Sequence, residues 1–221
     1  MNQDVLAKQV IRLRRLDCCA VSDAMDRLGI EGVVSGLTQL SGEGRIAGRV
    51  ITVKLGTAEP PPGPPVHLGS KAIEAGSALD VIVVEQRTGV DAGSWGGLLT
   101  LGAKLRGIAG VIADGLVRDL DEALAYGFSV FARGTTARTA RGRVVEMGTG
   151  VSVEIGGQRV EPGDFVIADR SATIFIRAAE IERVLEAAEK IVAKEQAMAK
   201  ALLDGTPISQ VMGGAYEYML K

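Results

Sequence analysis

The spacing of apolar residues changes along the chain and predicts a succession of helices and strands. Apolar side chains at positions 5, 6, 10, 13 and 16 recur with a helical period and predict a helix over 4–16. Ser22 as N-cap and Gly29 as a stop signal predict a short second helix, Asp23–Leu28. The run 47–55 predicts a strand, and the proline-rich stretch 57–69 after it predicts a surface loop.

The middle of the chain alternates between buried strands and short helices. Strands are predicted at 79–85, 109–113 and 129–132. A glycine-rich turn over 89–97 leads into a helix that ends at about residue 106, and a second helix over 119–126 is closed by Gly127. Strands that alternate with helices through short links predict parallel pairing at the centre of a sheet.

The pattern changes to antiparallel β-structure after residue 140. Segments 151–155 and 158–160 flank Gly156–Gly157, which is typical of a hairpin. A Pro-Gly-Asp turn at 162–164 precedes strands at 165–168 and 173–176, and a long helix follows over about 178–203. The fold class is therefore α/β. We predict a single domain over 1–221, with N-terminal helices (1–30), a core (45–177) and a C-terminal helix and tail (178–221).

Composition narrows the possible functions. The 221 residues are 47% hydrophobic and 24% charged, with a formal net charge of −2, which argues against electrostatic binding of nucleic acid. The charged N-terminus has no signal-peptide core, and no apolar run is long enough to span a membrane, so we expect a cytoplasmic protein that binds no membrane. Cys18 and Cys19 are adjacent and do not form an ordinary disulfide, which predicts a reducing compartment. A structural role is predicted for both, because the one histidine that could activate a thiol, His67, lies in an unrelated loop.

The glycine-rich turn is a candidate anion site, because it follows a buried strand and opens a helix. Backbone N–H groups and the positive end of the helix dipole meet at such a position. The glycines at 89, 93, 96 and 97 form neither a GxGxxG fingerprint nor a GK[ST] loop. Close packing of the helix on the sheet is an equally good explanation of them.

Arg118 and Asp119 follow the next strand and supply complementary chemistry. An arginine holds a carboxylate through two parallel hydrogen bonds, and an aspartate is a ligand that Mg²⁺ prefers. The alternative is that Asp119 caps the following helix and Arg118 is a surface charge. Two such loops at neighbouring strand ends favour a shared site.

These residues resemble a known family. The segments 81–119, above all WGGLLTLGAKLRGIAGVIADGLVRD at 95–119, and VEPGDFVIAD at 160–169 are similar to the ribonuclease-regulator-A-like (RraA-like) family, over roughly residues 20–210. That family includes metal-dependent 4-hydroxy-4-methyl-2-oxoglutarate aldolases. The resemblance implies a layered α/β/β fold and assembly as a homotrimer or homohexamer, with the site between subunits.

The resemblance also implies roles for individual residues. Arg118 would bind the carboxylate and keto oxygen of a pyruvyl group, with help from the amides of Leu98 and Leu99. Asp119 would bind Mg²⁺ or Mn²⁺, mostly through water. The implied substrate-binding set is Gly93, Ser94, Trp95, Gly96, Gly97, Leu98, Leu99 and Arg118.

Glu195 is a third implied catalytic residue, beside Arg118 and Asp119. It lies in KEQAMAK on what reads as an apolar stripe of the C-terminal helix, where a carboxylate is costly unless it is paired. The related aldolases place a glutamate from a neighbouring subunit near the metal's water ligands. A salt bridge at an interface is the alternative.

The chain departs from the aldolase pattern in two places. The aldolases read D-x20-R-D, and the position of the first acid is Gly97 here. In the segment 168–180, Arg170 and Arg177 differ from the usual residues and are expected to reshape the pocket or an interface.

Three functions therefore stay open. The leading hypothesis is a metal-dependent lyase that cleaves a pyruvyl-containing hydroxy acid or decarboxylates oxaloacetate. The second is a non-catalytic regulator that binds a ribonuclease-type partner. The third is a lyase or hydratase on another hydroxy acid, in which Glu195, Asp114 or a loop residue replaces the lost acid. Methyl transfer from S-adenosylmethionine is rejected, because no acidic residue ends a second strand to hold the ribose.

Overall fold

The computed structural model describes residues 2–59, 62–63 and 67–213, and all statements below concern these residues. The helices are α1 Gln3–Leu13, α2 Cys18–Leu28, α3 Ser70–Ala75, α4 Gly97–Leu105, α5 Leu120–Ala125, α6 Ile181–Leu203 and α7 Ile208–Val211. The strands are β1 Val33–Val34, β2 Thr38–Ser41, β3 Ile46–Gly56, β4 Asp80–Glu85, β5 Gly110–Val117, β6 Ser129–Thr135, β7 Val145–Thr149, β8 Val153–Ile155, β9 Gln158–Val160, β10 Phe165–Ala168 and β11 Thr173–Ile176.

One large sheet organises the molecule. Its strand order is β1-β11-β10-β3-β4-β5-β6-β2, and β7 pairs with β3 beside this path. The four strands β3, β4, β5 and β6 are parallel, and the flanking strands are antiparallel. The predicted parallel centre and the antiparallel structure after residue 140 are confirmed.

Both faces of the sheet are covered, which explains why its central strands are apolar without alternation. In β4, Ile82 and Val84 pack with α3, α4 and α5, whereas Val81 and Val83 pack against the β8–β9 hairpin. Helices α1, α2 and α6 extend the first layer over β3, β10 and β11. The result is the α/β/β layering that the resemblance implied.

The second helix begins earlier than predicted. Helix α2 starts at Cys18, and the Asp17 side chain accepts a hydrogen bond from the backbone N–H of Ala20, so Asp17 is the N-cap. The prediction that Ser22 caps this helix is wrong, because Ser22 lies inside it. The predicted stop at Gly29 is confirmed: this residue has φ +65° and ends the helix in the left-handed conformation.

The two cysteines are not bonded to each other. Cys18 is buried, its Sγ lies 3.3 Å from the carbonyl oxygen of Ala172, and burial raises the pKa of the thiol. These features fit a structural role. Cys19 is exposed, with its Sγ 3.9 Å from Ser171 Oγ.

Several elements differ from the predictions. The sequence patterns gave no signal for β1, β2, α3, β7 and α7, which have between two and six residues each. Strand β5 continues to Val117, four residues beyond the apolar run, and its pairing with β6 shifts register between Ala113 and Leu116. None of the described helices has the length and hydropathy needed to cross a membrane.

Candidate functional site

The glycine-rich loop is hydrogen-bonded along the carboxyl end of β5. Gly93 forms an isolated parallel bridge with Leu116, and both the backbone N–H and the Oγ of Ser94 donate to the Leu116 carbonyl, at 2.7 and 2.8 Å. The N–H of Arg118 donates to the Trp95 carbonyl at 3.0 Å. The two predicted halves of the site, Gly93–Leu99 and Arg118–Asp119, are therefore adjacent.

Asp119 connects these halves in an unusual conformation. Its φ is +58°, and it is the one non-glycine residue in the described part of the chain with a positive φ. Such a conformation stores strain and is frequent at functional sites. Its Oδ2 accepts a hydrogen bond from the N–H of Gly97 at 3.0 Å, so the carboxylate caps α4. The alternative that Asp119 caps the following helix is right for its position only: Asp119 is the N-cap residue of α5 and its carbonyl accepts from the Ala123 N–H, but its side chain makes no capping hydrogen bond there.

The glycines leave room for charged side chains. A Cβ at Gly93 would lie 2.9 Å from Arg118 Cγ, and one at Gly96 would lie 2.8 Å from Asp119 Oδ2. A Cβ at Gly97 would lie 1.8 Å from Glu122 Oε2, which is impossible without moving Glu122. Close packing, the alternative explanation, is thus partly right, although the groups that pack against these glycines are charged side chains.

Glu122 is the residue that sequence reasoning missed. Its carboxylate occupies the space where a side chain of residue 97 would begin, so an acid is present although position 97 is glycine. A sequence signal existed, because Glu122 follows Asp119 by three residues in the first turn of α5 and thus faces the same side. Asp114 and Glu195, the two named replacements that the sequence suggested, do not line the cavity at this site, and neither does Glu122, which lies behind Gly97.

Arg118 and the start of α4 offer hydrogen-bond donors toward the same space. Arg118 contacts both oxygens of Asp119 through Nε at 3.2 Å, and among the described residues its Nη1 and Nη2 have no partner. The first N–H groups of a helix lack an acceptor within that helix. The N–H of Gly97 is bonded to Asp119, whereas those of Leu98 and Leu99 remain available to a ligand.

A cavity of about 200 Å³ lies where these groups converge. This volume suits a small ligand rather than a dinucleotide. It is lined by His67, Leu68, Gly93, Trp95, Gly96, Gly97, Leu98, Leu99, Arg118, Asp119, Thr139 and Ala140. The expectation that His67 lies in an unrelated loop is wrong, since it lines the same cavity as Arg118.

Two members of the implied substrate-binding set have mainly structural contacts. Trp95 is 2% exposed, and its Nε1 donates to Thr100 Oγ1 at 2.9 Å, which fixes the ring in the core. Ser94 is buried, and its Oγ donates to the Leu116 carbonyl. Ser94 does not line the cavity, although Trp95 does.

Asp114 and Glu195 lie elsewhere in the chain. Asp114 accepts hydrogen bonds from Arg133 Nε and from the N–H of Gly156, both at 2.7 Å, and serves to hold the β8–β9 hairpin. Glu195 is exposed on α6, and burial together with Asp17 and Asp23 raises the pKa of its carboxyl. The apolar stripe of α6 is buried within the chain as far as Ile191, and Glu195 lies one turn beyond that buried part. Its placement in a neighbouring subunit's site stays a prediction.

A larger cavity of about 500 Å³ lies apart from this site. Arg177 lines it, with Arg159, Arg183, Glu31, Asp164 and Glu180 among the other lining residues. These three cationic and three anionic side chains balance, so no charge preference results. Arg177 therefore does not reshape the candidate site in its own chain, and Arg170 is exposed and lines neither cavity.

The carboxylates fit a divalent cation that keeps most of its water. Among the described residues no cluster of three acidic, histidine or cysteine side chains forms a complete metal cage. Asp119 and Glu122, both adjacent to the start of α4, provide two carboxylates. Mg²⁺ is commonly held in this way, by one or two carboxylates and several waters.

The fold and the site define a class: an α/β/β-layered protein in which a helix start, an arginine and an aspartate line one small cavity. Residues 18–174 match the profile of the RraA-like family, described as Aldolase/RraA. The chain belongs to this family.

Two relatives show how far the similarity extends. DlpA of Legionella pneumophila is 26% identical over 210 residues, which are 95% of this chain and 34% of DlpA, so the chain spans about a third of that relative's length. A protein of Halalkalibacterium halodurans, provisionally named as a 4-hydroxy-4-methyl-2-oxoglutarate aldolase, is 28% identical over 199 residues, which are 88% of this chain and 89% of that protein.

Solved structures show the same fold. An uncharacterized protein from Pseudomonas syringae pv. tomato superposes with a TM-score of 0.83 at 25% identity, covering 94% of this chain and 98% of that one. RraAS2 of Streptomyces coelicolor, described as an unusual member of the RNase ES inhibitor RraA family, gives a TM-score of 0.75 at 22% identity and covers 87% and 97%.

Proposed function

We propose that this protein is a divalent-metal-dependent lyase that binds the pyruvyl end of a keto acid and breaks the adjacent carbon–carbon bond. The substrate is a hydroxy-oxo-dicarboxylate of the 4-hydroxy-4-methyl-2-oxoglutarate type, or oxaloacetate. One observation carries the proposal: Arg118, the start of α4 and Asp119 line one small cavity, and the Glu122 carboxylate lies against Gly97 of its wall. The similarity to the H. halodurans protein supports it.

Substrate binding follows from the donors. The Nη1 and Nη2 atoms of Arg118 form a fork that matches a carboxylate and the neighbouring keto oxygen. The N–H groups of Leu98 and Leu99 donate to the same carboxylate, with the helix dipole behind them. These contacts orient the bond beyond the keto carbon and exclude water from one side of it.

Cleavage leaves an enolate, and the surrounding groups lower its energy. Asp119 would hold the cation, which would supply a positive charge to stabilise the enolate. Arg118 adds a fixed positive charge that becomes more favourable as the enolate forms. No lysine Schiff base is needed in this scheme.

Glu122 is the residue placed to move protons. In aldol cleavage, it would accept the proton of the substrate hydroxyl and return a proton to the enolate carbon. In decarboxylation, only the second transfer is needed. Glu122 thereby takes the role that the family assigns to the acid missing at Gly97.

The test is pyruvate release from both substrates with Mg²⁺ or Mn²⁺ and with a chelator, after subtraction of the metal-only rate. We expect cation-dependent turnover that falls at least 100-fold in Arg118→Ala, the loss typical of removing a transition-state donor. Arg141→Ala is the matched control, because Arg141 is exposed and does not line the cavity. Turnover that survives chelation, or that is unchanged in Arg118→Ala, would contradict the proposal.

A regulator is the second candidate, favoured by one observation. Leu98 and Leu105 on α4 are 86% and 79% exposed beside the site, and exposed apolar patches mark protein contacts. This function would be favoured over the lyase if the folded protein turned over neither substrate but bound a partner protein, and if Leu105→Lys abolished that binding.

A further inference from the structure

We propose that Asp91 is a positioning residue of the candidate site: it holds the wall segment, residues 136–140, against the glycine-rich loop and so keeps the cavity in its ligand-binding form. This inference rests on the proposed function. Asp91 is exposed in the loop after β4 and is not among the described residues that line the cavity. Thr139 and Ala140 of the wall segment and Gly93 of the loop do line it.

The Asp91 carboxylate contacts two residues of the wall segment at once. Its Oδ1 accepts a hydrogen bond from Thr136 Oγ1 at 2.6 Å, and its Oδ2 pairs with Arg138 Nε at 2.9 Å. Thr136 Oγ1 in turn accepts a hydrogen bond from the Arg138 N–H at 3.1 Å. The carboxylate, the hydroxyl and the guanidinium therefore form one connected network, which restrains the segment more than a single contact would.

A short series of contacts connects this network to Arg118. The carbonyl of Arg138 accepts a hydrogen bond from the Gly93 N–H at 2.9 Å. A Cβ added to Gly93 would lie 2.9 Å from Arg118 Cγ and 3.0 Å from its Cδ, so the arginine stem packs directly on the glycine backbone. Displacement of the wall segment therefore disturbs both the wall of the cavity and the surface that supports Arg118.

The wall segment needs this restraint because its middle is weakly held. Residues 136–139 form neither helix nor strand. The backbone N–H of the first residue is bonded to the Val117 carbonyl of β5, and Ala140 is buried in the core at the other end. Between these two anchors, the described hydrogen bonds from outside the loop are those of Asp91 and of the Gly93 N–H.

Asp91 thus favours a closed wall over a displaced one. When a ligand binds only to the closed form, its apparent dissociation constant rises as the closed fraction falls. After binding, the ligand itself holds the wall closed, so the chemical step proceeds as before. A residue that acts in this way changes the ligand affinity and KM but leaves kcat nearly constant.

The experiment measures binding and turnover in four variants. Oxalate is the probe for binding, because it resembles the enolate of pyruvate and does not react; its dissociation constant is measured by titration calorimetry with excess Mg²⁺. KM and kcat are measured for oxaloacetate with the same cation. The variants are Asp91→Ala, Asp91→Asn, Arg138→Ala and the double variant of Asp91→Ala with Arg138→Ala. Asp204→Ala is the matched control, because it removes another exposed ion pair, with Lys200 at 2.6 Å, from the end of α6.

We expect Asp91→Ala to raise both the dissociation constant of oxalate and KM about fivefold, the scale of one exposed ion pair and one hydrogen bond. Its kcat should stay within about twofold and its melting temperature within about 4 °C of the wild type. Asp91→Asn should have a smaller effect, because its amide oxygen still accepts a hydrogen bond from Thr136 Oγ1. Asp204→Ala should change none of these constants.

The double variant tests whether Asp91 and Arg138 act through each other. Arg138→Ala alone should weaken oxalate binding about twofold. In the Asp91→Ala background the same substitution should have no additional effect, because the contact is already lost. Additive losses would contradict the inference, since Arg138 would then act on the ligand by itself.

Amide hydrogen exchange tests the restraint without any ligand. The amides of residues 138–144 should exchange faster in Asp91→Ala than in the wild type or in Asp204→Ala. Unchanged exchange, or unchanged oxalate binding in Asp91→Ala while Arg118→Ala abolishes it, would overturn this inference alone. A fall of kcat and melting temperature together would also overturn it, because that result indicates a general structural role. If the wild type neither binds oxalate nor turns over oxaloacetate, the proposed function is wrong, and this inference is wrong with it.

Discussion

Glu122 and Gly97 meet in one space from two points in the sequence. The Glu122 carboxylate fills the volume into which any side chain at 97 would project, with 1.8 Å between Oε2 and an added Cβ. A side chain at 97 would displace the Glu122 carboxylate, and a second acid there would also repel it. The observed position of Glu122 therefore depends on the glycine.

This relation predicts the result of an exchange of the two residues. Glu122→Ala should lower pyruvate release about 100-fold, the scale of a lost general acid–base group. Gly97→Asp combined with Glu122→Ala should recover a substantial part of that rate, because the new aspartate side chain supplies a carboxylate from position 97 instead. The measurement is kcat on oxaloacetate with Mn²⁺, beside the dissociation constant for pyruvate, which should stay within twofold.

Gly97→Ala provides the control for this exchange. It adds no acid but displaces Glu122, so it should lower kcat without changing the melting temperature appreciably, because Glu122 is exposed and free to move. Full activity in Glu122→Ala would contradict the assignment. So would a double variant that is no faster than Glu122→Ala although both are folded.

At the residue scale, the sequence predicted those parts of the site that are close to a strand end. The glycine turn and Arg118–Asp119 follow adjacent parallel strands, and parallel strands bring their carboxyl ends to one edge. His67 was missed because its place depends on α3 packing onto Trp95, a contact between distant segments after a proline-rich loop. Local pattern carries no information on such a contact.

At the element scale, the carboxylates of the N-terminal and C-terminal helices differ in whether their surroundings favour the charged form. Arg12 of α1 pairs with Glu189 through two hydrogen bonds, at 2.7 and 2.8 Å, and with Glu182 at 2.7 Å. The hydrogen bond from Arg12 lowers the pKa of Glu189. On α2, burial and the nearby Asp26 and Asp17 raise the pKa of Asp23.

These shifts predict opposite pH dependences for two substitutions. Because the pKa of Glu189 is lowered from 4.5, its stabilisation is present above that value and is lost as pH falls through the folded-state pKa. Because the pKa of Asp23 is raised from 3.8, its charged form is penalised at neutral pH, and the penalty vanishes at low pH. Glu189→Gln should therefore destabilise, and Asp23→Asn stabilise, near neutral pH.

The measurement is thermal unfolding of both variants near pH 7 and near pH 3.5. The Arg12–Glu189 pair is partly exposed, so about 0.5 kcal/mol is expected after solvent screening, a shift of about 1–2 °C for a chain of this length. Both differences from the wild type should shrink toward zero at the lower pH. Shifts of the same sign at neutral pH would contradict the assignment.

The elements that were predicted correctly are those with their own periodicity and clear boundary residues. Strands β10 and β11 and the hairpin strand β9 begin and end where the pattern indicated. Strands β1 and β2 were missed, because each is short and lies at an edge of the sheet, where distant partners β11 and β6 define it. Helix α2 was predicted too short, because both Ser22 and Asp17 are residue types that cap helices and Asp17 is the one that does so.

At the scale of the whole molecule, two groups of leucines stand out among the exposed apolar side chains. Leu98 and Leu105 lie beside the site on α4, with Leu124 on α5 close by. Leu202 and Leu203 are exposed at the end of α6, past the part of that helix that packs on α1 and α2. Exposed apolar groups of this kind are typical of subunit interfaces. They favour the homotrimer or homohexamer that the resemblance implied, a state that stays a prediction.

A site shared between subunits has a direct consequence for mixed assemblies. If Arg118 of one subunit works with Glu195 of its neighbour, Arg118→Ala and Glu195→Ala are each inactive, but they damage different halves of each site. In a ring assembled from equal amounts of both variants, a subunit with intact Arg118 lies next to one with intact Glu195 at about a quarter of the sites. Those sites are complete.

Coexpression of the two variants with different affinity tags, followed by purification through both tags, isolates the mixed assemblies. We expect pyruvate release to return to about a third of the wild-type rate per subunit for a trimer, since each doubly tagged ring has one complete site in three, and to about a quarter for a hexamer of two such rings. The separate variants, mixed after purification without subunit exchange, should stay inactive. Full activity of Glu195→Ala alone would remove Glu195 from the site. If the mixed assemblies are folded and associated but show no recovery, Arg118 and Glu195 do not complement each other across subunits. Each chain then forms its site from its own residues.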